Sequence, residues 1–149
     1  MSDDFNAVVR ENLDAFNAGD WQRMRESITP GSVYVEPATG RSVEGADAII
    51  EVNEGWKAAI PDAQGTVTSE FGSGDRVATE ITWRGTHSGP LELPTGGAIP
   101  PSGRSIEVPA VQVCRIEDGK LAEVHHYFDM LSLLEQIGTI SADSLAQAT

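Results

Sequence analysis

The chain has 149 residues, of which 23 are acidic and 10 are basic, so its formal net charge at pH 7 is −13. A chain of this length and ordinary composition predicts one globular domain with a substantial core. The negative charge argues against nucleic acid or an anionic membrane as a partner, because both would repel it.

The sequence carries no signal for a membrane span, secretion or a metal site. No apolar run is long enough to cross a bilayer, and no basic-then-apolar leader stands at the start. Cys114 is the only cysteine, so no internal disulfide is possible, and it is predicted to be a small buried hydrophobe. No Cys/His cluster has zinc spacing, and no Walker loop, GxGxxG or GxSxG motif occurs. We therefore expect a cytoplasmic protein.

The first half of the chain is predicted to be mainly helical. The apolar residues between Phe5 and Phe16 recur at spacings of three and four, as on one face of a helix, and Gly19 marks its end. Asp20 is predicted to cap the next helix, which Thr29-Pro30-Gly31 breaks. The predicted elements are a helix from Phe5 to about Ala18, a short helix from Trp21 to Ile28, a strand from Ser32 to Glu36 and a helix from Ala46 to Ala59.

The second half is predicted to be mainly β-structure. Between its strands, residues 89–103 form a loop rich in proline and glycine, which is interpreted either as a lid or rim over a pocket or as a mobile surface loop. Residues 1–138 are expected to form the single domain, and residues 139–149 a flexible tail. The predicted elements are strands at 64–71, 76–88, 106–115 and 121–128 and a helix at 130–137.

The hairpin near the end of the chain carries two polar residues on an otherwise apolar face. Glu117-Asp118-Gly119 is predicted to be a three-residue turn, which pairs even-numbered residues with even-numbered ones. Gln112 and His126 then share one face of adjacent strands, because alternate side chains point to the same side. Burying either without a partner would cost roughly 1–3 kcal/mol, which favours a pocket beside them.

The order of the predicted elements indicates the fold class. Helices come first and four strands in a meander follow, which is typical of an α+β protein. A curved, mostly antiparallel sheet wrapped over the N-terminal helices would leave a cone-shaped cavity between the two layers.

This order of elements resembles the NTF2-like α+β cone fold, and the motifs within it resemble those of the SnoaL-like polyketide cyclase family. The resemblance runs from about Phe5 to Gly138 and depends on the order and spacing of the motifs together. The matching segments are Leu13–Asp20, Tyr34–Thr39, Gly85–Gly89, Pro100–Arg104, Arg115–Lys120, and Asp129 with Leu131–Gly138.

The resemblance implies an enzyme that closes a ring on an anthraquinone-type polyketide by an intramolecular aldol reaction, without metal or cofactor. In the family an aspartate on the last strand acts as general acid and base, and a histidine on the neighbouring strand assists it. Aligned on the hairpin motif, the aspartate position falls on His126 and the histidine position on Gln112. A first-strand asparagine position falls on Glu36, so this chain departs from the family pattern at all three positions.

The residues found at these three positions suggest a different set of catalytic groups for the same kind of chemistry. A neutral histidine is a competent base near pH 7, since its unperturbed pKa is about 6.5, so His126 is the candidate base. Glu36, or else Asp129 or Glu123, is the candidate carboxylate that orients His126 and stabilises its protonated form. Gln112 is the candidate donor to an enolate or carbonyl oxygen. The predicted reaction is proton abstraction next to a carbonyl, in an aldol cyclisation or an isomerisation of a hydrophobic small molecule.

Further residues are candidates for binding a flat hydrophobic substrate. Core packing explains the aromatic ones equally well, a structural hydrogen bond explains His87, and capping of the last helix explains Asp129. The candidates are Tyr34, Trp56, Trp83, His87, Phe128 and Asp129.

Other functions fit the same fold, because fold alone does not settle function. One is non-catalytic binding of a small apolar ligand. Another is assembly: this fold commonly dimerises through its sheet, where Val111 and Val113 would contribute, and a homodimer is expected. A related enzymatic alternative, epoxide opening by an Asp-Arg-Asp arrangement, would use Arg84 or Arg115.

Overall fold

A computed structural model describes residues 2–140, and within that range the chain forms four helices and eight strands. The predicted tail at 139–149 lies outside the described residues, except for its first two. None of the described helices is long and apolar enough to cross a membrane. The helices are α1 (Ser2–Ala18), α2 (Trp21–Glu26), α3 (Ala46–Ala59) and α4 (Met130–Gln136). The strands are β1 (Ile28–Glu36), β2 (Arg41–Glu44), β3 (Gln64–Ser73), β4 (Arg76–Thr86), β5 (Leu91–Glu92), β6 (Ala98–Ile99), β7 (Ser105–Glu117) and β8 (Lys120–Phe128).

Six of the strands form one sheet in the order β2-β1-β8-β7-β4-β3, and β5 and β6 form a separate hairpin. The strands β3, β4, β7 and β8 are antiparallel neighbours, as the predicted meander requires, whereas β1 pairs with β8 in parallel. Helices α1 and α3 pack on the inner face of this curved sheet. The predicted α+β fold class is confirmed.

The space between the helices and the sheet is filled at one end and lined by aromatic rings at the other. Val9, Val77 and Cys114 belong to the filled end. Phe16 and Trp83 belong to the aromatic end. Cys114 is fully buried, as predicted, and burial raises the pKa of its thiol to about 12. Its sulfur therefore stays protonated and packs as a small apolar group.

The first two helices begin and end close to the predicted positions. α1 ends at Ala18, and the φ of 66° at Gly19 is the left-handed conformation that ends many helices. Asp20 caps α2, since its carboxylate accepts a hydrogen bond from the backbone N–H of Arg23 at 3.1 Å. α2 ends at Glu26, earlier than predicted.

The first strand is longer than predicted. The second helix ends before Thr29-Pro30-Gly31, as predicted, but the predicted start of the strand at Ser32 is wrong, because β1 begins at Ile28. Its pairing with β8 shifts register between Ile28 and Val33, so Pro30 lies where no regular ladder hydrogen bond is needed. The following strand, β2, is absent from the predicted elements and pairs antiparallel with β1.

The hairpin that joins β7 to β8 has a two-residue turn, so the predicted three-residue turn is wrong. Residues 118–119 have φ of 54° and 73°, as a type I′ turn requires. A bulge then leaves Ala122 of β8 without a partner and shifts the pairing by one residue. The predicted pairing of even-numbered residues with even-numbered ones is found, because the bulge makes up for the shorter turn, and Gln112 lies directly opposite His126.

The loop at 89–103 is folded in part. Backbone hydrogen bonds of His87 with Gly103 and Arg104 close its base at 2.8 and 2.9 Å. Leu91 is buried in the core cluster of the aromatic end. The β5–β6 hairpin at Leu91 and Ile99 therefore anchors the loop to the domain.

Candidate active site

Polar side chains form one row across the inner face of the sheet. In the strand register Thr79 of β4 lies opposite Gln112 of β7, and Gln112 lies opposite His126 of β8. Glu36, at the end of β1, continues the row on the other side of His126. Four adjacent strands thus place four polar side chains next to one another beneath the helices.

A cavity of about 80 Å³ lies over this row, between the sheet and the helices. Its polar groups come from three residues of the sheet and two of the helices, and the rest of its wall is apolar or aromatic. A mainly apolar wall with a few converging polar groups is typical of a site for a small hydrophobic molecule. The wall consists of Asn12, Leu13, Phe16, Tyr34, Asn53, Trp56, Ile60, Trp83, Ile106, Val108, Gln112, His126, Phe128 and Leu133.

The imidazole of His126 is held by hydrogen bonds on both sides. Trp83 Nε1 lies 3.1 Å from His126 Nε2, and an indole N–H can only donate. Nε2 therefore accepts, and in the neutral ring the proton lies on Nδ1. Nδ1 lies 2.9 Å from the hydroxyl oxygen of Tyr34 and donates to it. These two contacts select one tautomer of His126.

Behind Tyr34, the carboxylate of Glu36 ends the chain of hydrogen bonds. The Tyr34 hydroxyl donates to Glu36 Oε2 at 2.6 Å, and the Trp56 indole N–H donates to the same oxygen at 3.0 Å. The other oxygen, Oε1, accepts from Thr39 Oγ1 at 2.7 Å and from Arg41 Nη1 at 2.9 Å. Glu36 is fully buried, and four donors match an ionised carboxylate, which only accepts. Arg41 compensates its buried charge.

Burial sets the protonation state of the His126 imidazole and of the Tyr34 phenol. It lowers the pKa of His126 to about 4, and the negative charge of Glu36 opposes this shift only in part. The pKa of Tyr34 lies well above its ordinary value, first because of burial and then because of Glu36. At neutral pH His126 is therefore an uncharged imidazole and Tyr34 an uncharged phenol.

The amide of Gln112 has unused hydrogen-bonding capacity beside His126. Its side chain is half-buried, lines the cavity, and makes no hydrogen bond with any other residue of the range 5–140. A primary amide carries two N–H donors and one carbonyl acceptor. Gln112 is therefore free to bind a polar group of a small molecule in the cavity.

The cavity wall includes most of the residues that the sequence predicts for the site. Glu36 lies behind the wall, where it contacts Tyr34 and Trp56 instead of the cavity. It reaches His126 only through the hydroxyl of Tyr34. The predicted residues that line the cavity are His126, Gln112, Tyr34, Trp56, Trp83 and Phe128.

The structure places His87 and Asp129 away from the cavity. Nδ1 of His87 accepts a hydrogen bond from the Ser102 N–H at 3.2 Å and lies 2.9 Å from its hydroxyl, which ties the loop to β4. Asp129 is the N-cap of α4 and accepts a hydrogen bond from the Ser132 N–H at 2.9 Å. Neither side chain is within the wall that surrounds His126.

Two asparagines of the cavity wall are missing from the predicted site. Asn12 of α1 and Asn53 of α3 line the cavity from the helix side. Asn12 lies four residues before Phe16 and Asn53 three residues before Trp56, so each interrupts the apolar face of its helix. A polar residue on an apolar helical face is the signal that identifies such positions.

Neither arginine considered for epoxide opening lies in the cavity. Arg84 pairs with Glu107 at 2.6 Å, and Arg115 pairs with Glu117 at 3.1 Å and with Glu123 at 3.5 Å, all outside the cavity. Among the described residues no arginine or aspartate lines the cavity, so an Asp-Arg-Asp arrangement has no counterpart there. The described side chains, those of residues 5–140, also contain no group of three His, Cys, Asp or Glu residues placed to hold a metal ion.

The loop at 89–103 borders a neighbouring groove. Leu91 and Glu92 line this groove together with Trp56, which also forms part of the cavity wall. Trp56 thus stands between the loop and the cavity, and a role of the loop as a lid stays a prediction.

The outer face of the sheet carries the residues expected at a dimer interface. Val111 of β7 is half-buried and pairs with Tyr127 of β8, which is exposed. Val113 pairs with His125 on the same face. The homodimer stays a prediction.

Comparison with known proteins gives a family and a set of structural neighbours. The family model of the SnoaL-like polyketide cyclases matches residues 6–137. A SnoaL-like protein from Jannaschia sp. CCS1 has a TM-score of 0.83 at 24% identity, over 95% of this chain and 96% of that one. IdmH from Streptomyces antibioticus, named as a candidate polyketide cyclase, has a TM-score of 0.76 at 30% identity, over 90% and 98%. AclR from Streptomyces galilaeus, named as a candidate hydroxylase, has a TM-score of 0.78 at 28% identity, over 95% and 100%.

These likenesses extend over nearly the full length of each chain. None of the curated proteins matches the sequence. The predicted NTF2-like cone fold is confirmed by the solved structures. The family model spans every residue of the cavity wall, from Asn12 to Leu133. The chain belongs to the SnoaL-like polyketide cyclase family.

Proposed function

We propose that this protein catalyses cofactor-independent proton transfer next to the carbonyl group of a hydrophobic compound, in an aldol cyclisation or an isomerisation. The observation that carries the proposal is a pair of groups in one apolar cavity. One is the uncharged imidazole of His126 in a fixed tautomer, and the other is the free amide of Gln112. Family membership supports the proposal, because polyketides have C–H bonds made acidic by neighbouring carbonyl groups.

His126 is the proposed base. In this structure its Nε2 lone pair accepts a hydrogen bond from Trp83, and it takes the proton once the indole gives way to the substrate. Proton transfer by a positioned side chain contributes about 10²–10⁴-fold to a rate.

Gln112 is the proposed carbonyl-binding residue. Its N–H donates to the carbonyl oxygen, whose negative charge grows as the enolate forms. Gln112 and His126 are directly opposite on neighbouring strands, so their Cβ atoms are about 5 Å apart. A carbonyl oxygen and the carbon next to it fit within reach of the two side chains.

The volume of the cavity limits how a substrate enters. At about 80 Å³ it is smaller than a typical ligand pocket, which measures roughly 300–1,000 Å³. A polycyclic substrate therefore either displaces Trp83 or reaches in with its reacting end alone. Displacement of Trp83 also frees His126 Nε2, so substrate binding would activate the base.

The test measures tritium released to water from the carbon next to the carbonyl, in a series of aromatic ketones that begins with 1-tetralone. The wild-type protein is expected to release tritium faster than buffer alone. His126→Ala is expected to lower this rate about 100-fold or more. Gln112→Leu removes the donor to the oxyanion and is expected to lower it about 100-fold.

His125→Ala is the matched control, because this neighbouring histidine lies on the outer face. Unchanged release by H125A together with loss in H126A supports the proposal. Equal release by H126A and the wild-type protein contradicts it. Ketone binding without tritium release by any variant indicates a binding protein instead of an enzyme.

A further inference from the structure

We propose that Tyr34 and Glu36 form a proton relay behind His126, which carries the proton equivalent taken from the substrate to the buried carboxylate. This inference rests on the proposed function, in which His126 removes a proton next to a carbonyl. It assigns Tyr34 a part in the chemistry in place of substrate binding, and it assigns Glu36 as the final proton acceptor.

The directions of three hydrogen bonds carry the proposal. The Trp83 N–H can only donate, so it fixes the His126 proton on Nδ1. Nδ1 then donates to the Tyr34 oxygen, 2.9 Å away, and the Tyr34 hydroxyl proton points to Glu36 Oε2, 2.6 Å away. The proton on His126 Nδ1 and the hydroxyl proton of Tyr34 therefore each already lie in the hydrogen bond along which they would move towards Glu36.

The transfer balances in atoms and charge. The substrate C–H bond breaks, its proton bonds to His126 Nε2, and its electron pair stays on the substrate as an enolate. The Nδ1 proton moves to the Tyr34 oxygen, and the hydroxyl proton of Tyr34 moves to Glu36 Oε2. His126 ends as the other neutral tautomer, Tyr34 is again a neutral phenol, and Glu36 is a neutral acid. The reverse sequence returns the proton to a carbon or oxygen of the product.

Burial explains why a relay is favoured over a charged imidazole. A protonated His126 would be a cation without solvent, since only 8% of the residue is exposed. The relay keeps the number of charges constant, because the negative charge leaves Glu36 as the enolate forms. A phenolate of Tyr34 is equally unfavourable beside Glu36, so the two transfers through Tyr34 occur together.

The experiment uses Tyr34→Phe, which removes one hydroxyl and keeps the ring. Tritium release from the aromatic ketone is measured in mixtures of H₂O and D₂O. The relay predicts a curved dependence of the wild-type rate on the D₂O fraction, since two exchangeable protons move. In Y34F the rate is expected to fall about 10–100-fold, and the dependence to become linear. Tyr127→Phe is the matched control, because Tyr127 lies on the exposed outer face.

Glu36→Gln repeats the test at the end of the relay, and it decides the matter if Y34F does not fold. The amide keeps the size of the carboxylate but cannot act as the final base, so the same loss and the same linear dependence are expected. Melting temperatures of both variants are measured first. A purely structural role would lower the rate and leave the curvature unchanged, and that result overturns the relay.

The two proposals fail in different ways. If H126A releases tritium as fast as the wild-type protein, the proposed function and the relay are both wrong. If H126A is inactive while Y34F and E36Q keep rates within about threefold of wild type, the relay alone is wrong.

Discussion

The two faces of strand β8 carry neighbouring histidines in opposite surroundings. On the inner face, His126 is buried and contacts Trp83 and Tyr34 through its two ring nitrogens. On the outer face, His125 Nε2 lies 2.5 Å from Glu123, and its ring stacks with Tyr127 at a centroid distance of 6.4 Å.

The difference shows what desolvation does to the same residue type. Water can replace any partner of His125, so its contact with Glu123 contributes little to the free energy of folding. On the inner face His126, Tyr34 and Glu36 are buried, so the hydrogen bonds among them replace those that water would otherwise provide. The inner hydrogen bonds from Trp83 to Glu36 therefore behave as one connected unit, and the outer ion pairs behave independently.

Loss of the ion pair between Arg41 and Glu36, at the end of the inner hydrogen bonds, is expected to destabilise the protein most. Arg41→Met leaves the carboxylate of Glu36 buried without its positive partner, and the free energy of unfolding is expected to fall by about 3 kcal/mol. Arg115→Met removes a partly exposed arginine from Glu117 and Glu123, and a loss below about 1 kcal/mol is expected. Urea unfolding at pH 7 measures both. Equal losses would mean that the two faces do not differ in this way.

The next effect concerns the pH dependence of stability. The pKa of His126 is about 4 in the folded protein and about 6.5 in the unfolded chain. Between these pH values the unfolded chain binds more protons than the folded protein. The contribution of neutral His126 to the free energy of unfolding is therefore complete above about pH 6.5 and is lost as the pH falls towards 4. It amounts to about 3 kcal/mol at most.

His126→Gln tests this prediction, because glutamine cannot bind the proton. Between pH 7 and pH 4 its free energy of unfolding is expected to fall less than that of the wild-type protein. For His125→Gln, on the outer face, the free energy of unfolding is expected to decrease between pH 7 and pH 4 as much as it does for the wild-type protein. Urea unfolding over this pH range distinguishes the two, and identical curves for H126Q and wild type would contradict the burial argument.

The smallest effect concerns the packing that holds Trp83 against His126. A Cβ atom at Gly65 would lie 2.6 Å from Trp83 Cζ3 and 2.9 Å from Leu13 Cδ1. Gly65→Ala is therefore expected to lower the free energy of unfolding by about 1–3 kcal/mol through overpacking. Gly55→Ala, in an exposed part of α3 with no atom within 4 Å, is expected to raise it by about 0.5–1 kcal/mol. A stabilised G65A would show that Trp83 moves freely.

The fold was predictable where local signals agree with the final structure. The helix end at Gly19 and the cap at Asp20 depend on neighbouring residues only, and both are found. The strand start at Ile28 was not predictable in this way, because it depends on the pairing of Ile28 with Leu121 of β8, which is far away in the sequence. The turn at 118–119 is an intermediate case, because its length was predicted wrongly but the bulge restores the predicted pairing of even-numbered residues with even-numbered ones.

Which residues of the last hairpin share a face, and which family the chain belongs to, follow from the amino-acid sequence alone. Alternation along two strands joined by a short turn places Gln112 and His126 on the same face, and the bulge after the turn brings them directly opposite each other. The contacts of His126, in contrast, depend on the assembled sheet. Its partners Trp83 and Tyr34 lie 43 and 92 residues away in sequence, and they meet it only when β1, β4 and β8 enter one sheet. The same assembly buries His126, so contacts with Trp83 and Tyr34 set its tautomer and burial sets its charge, and no local pattern encodes either.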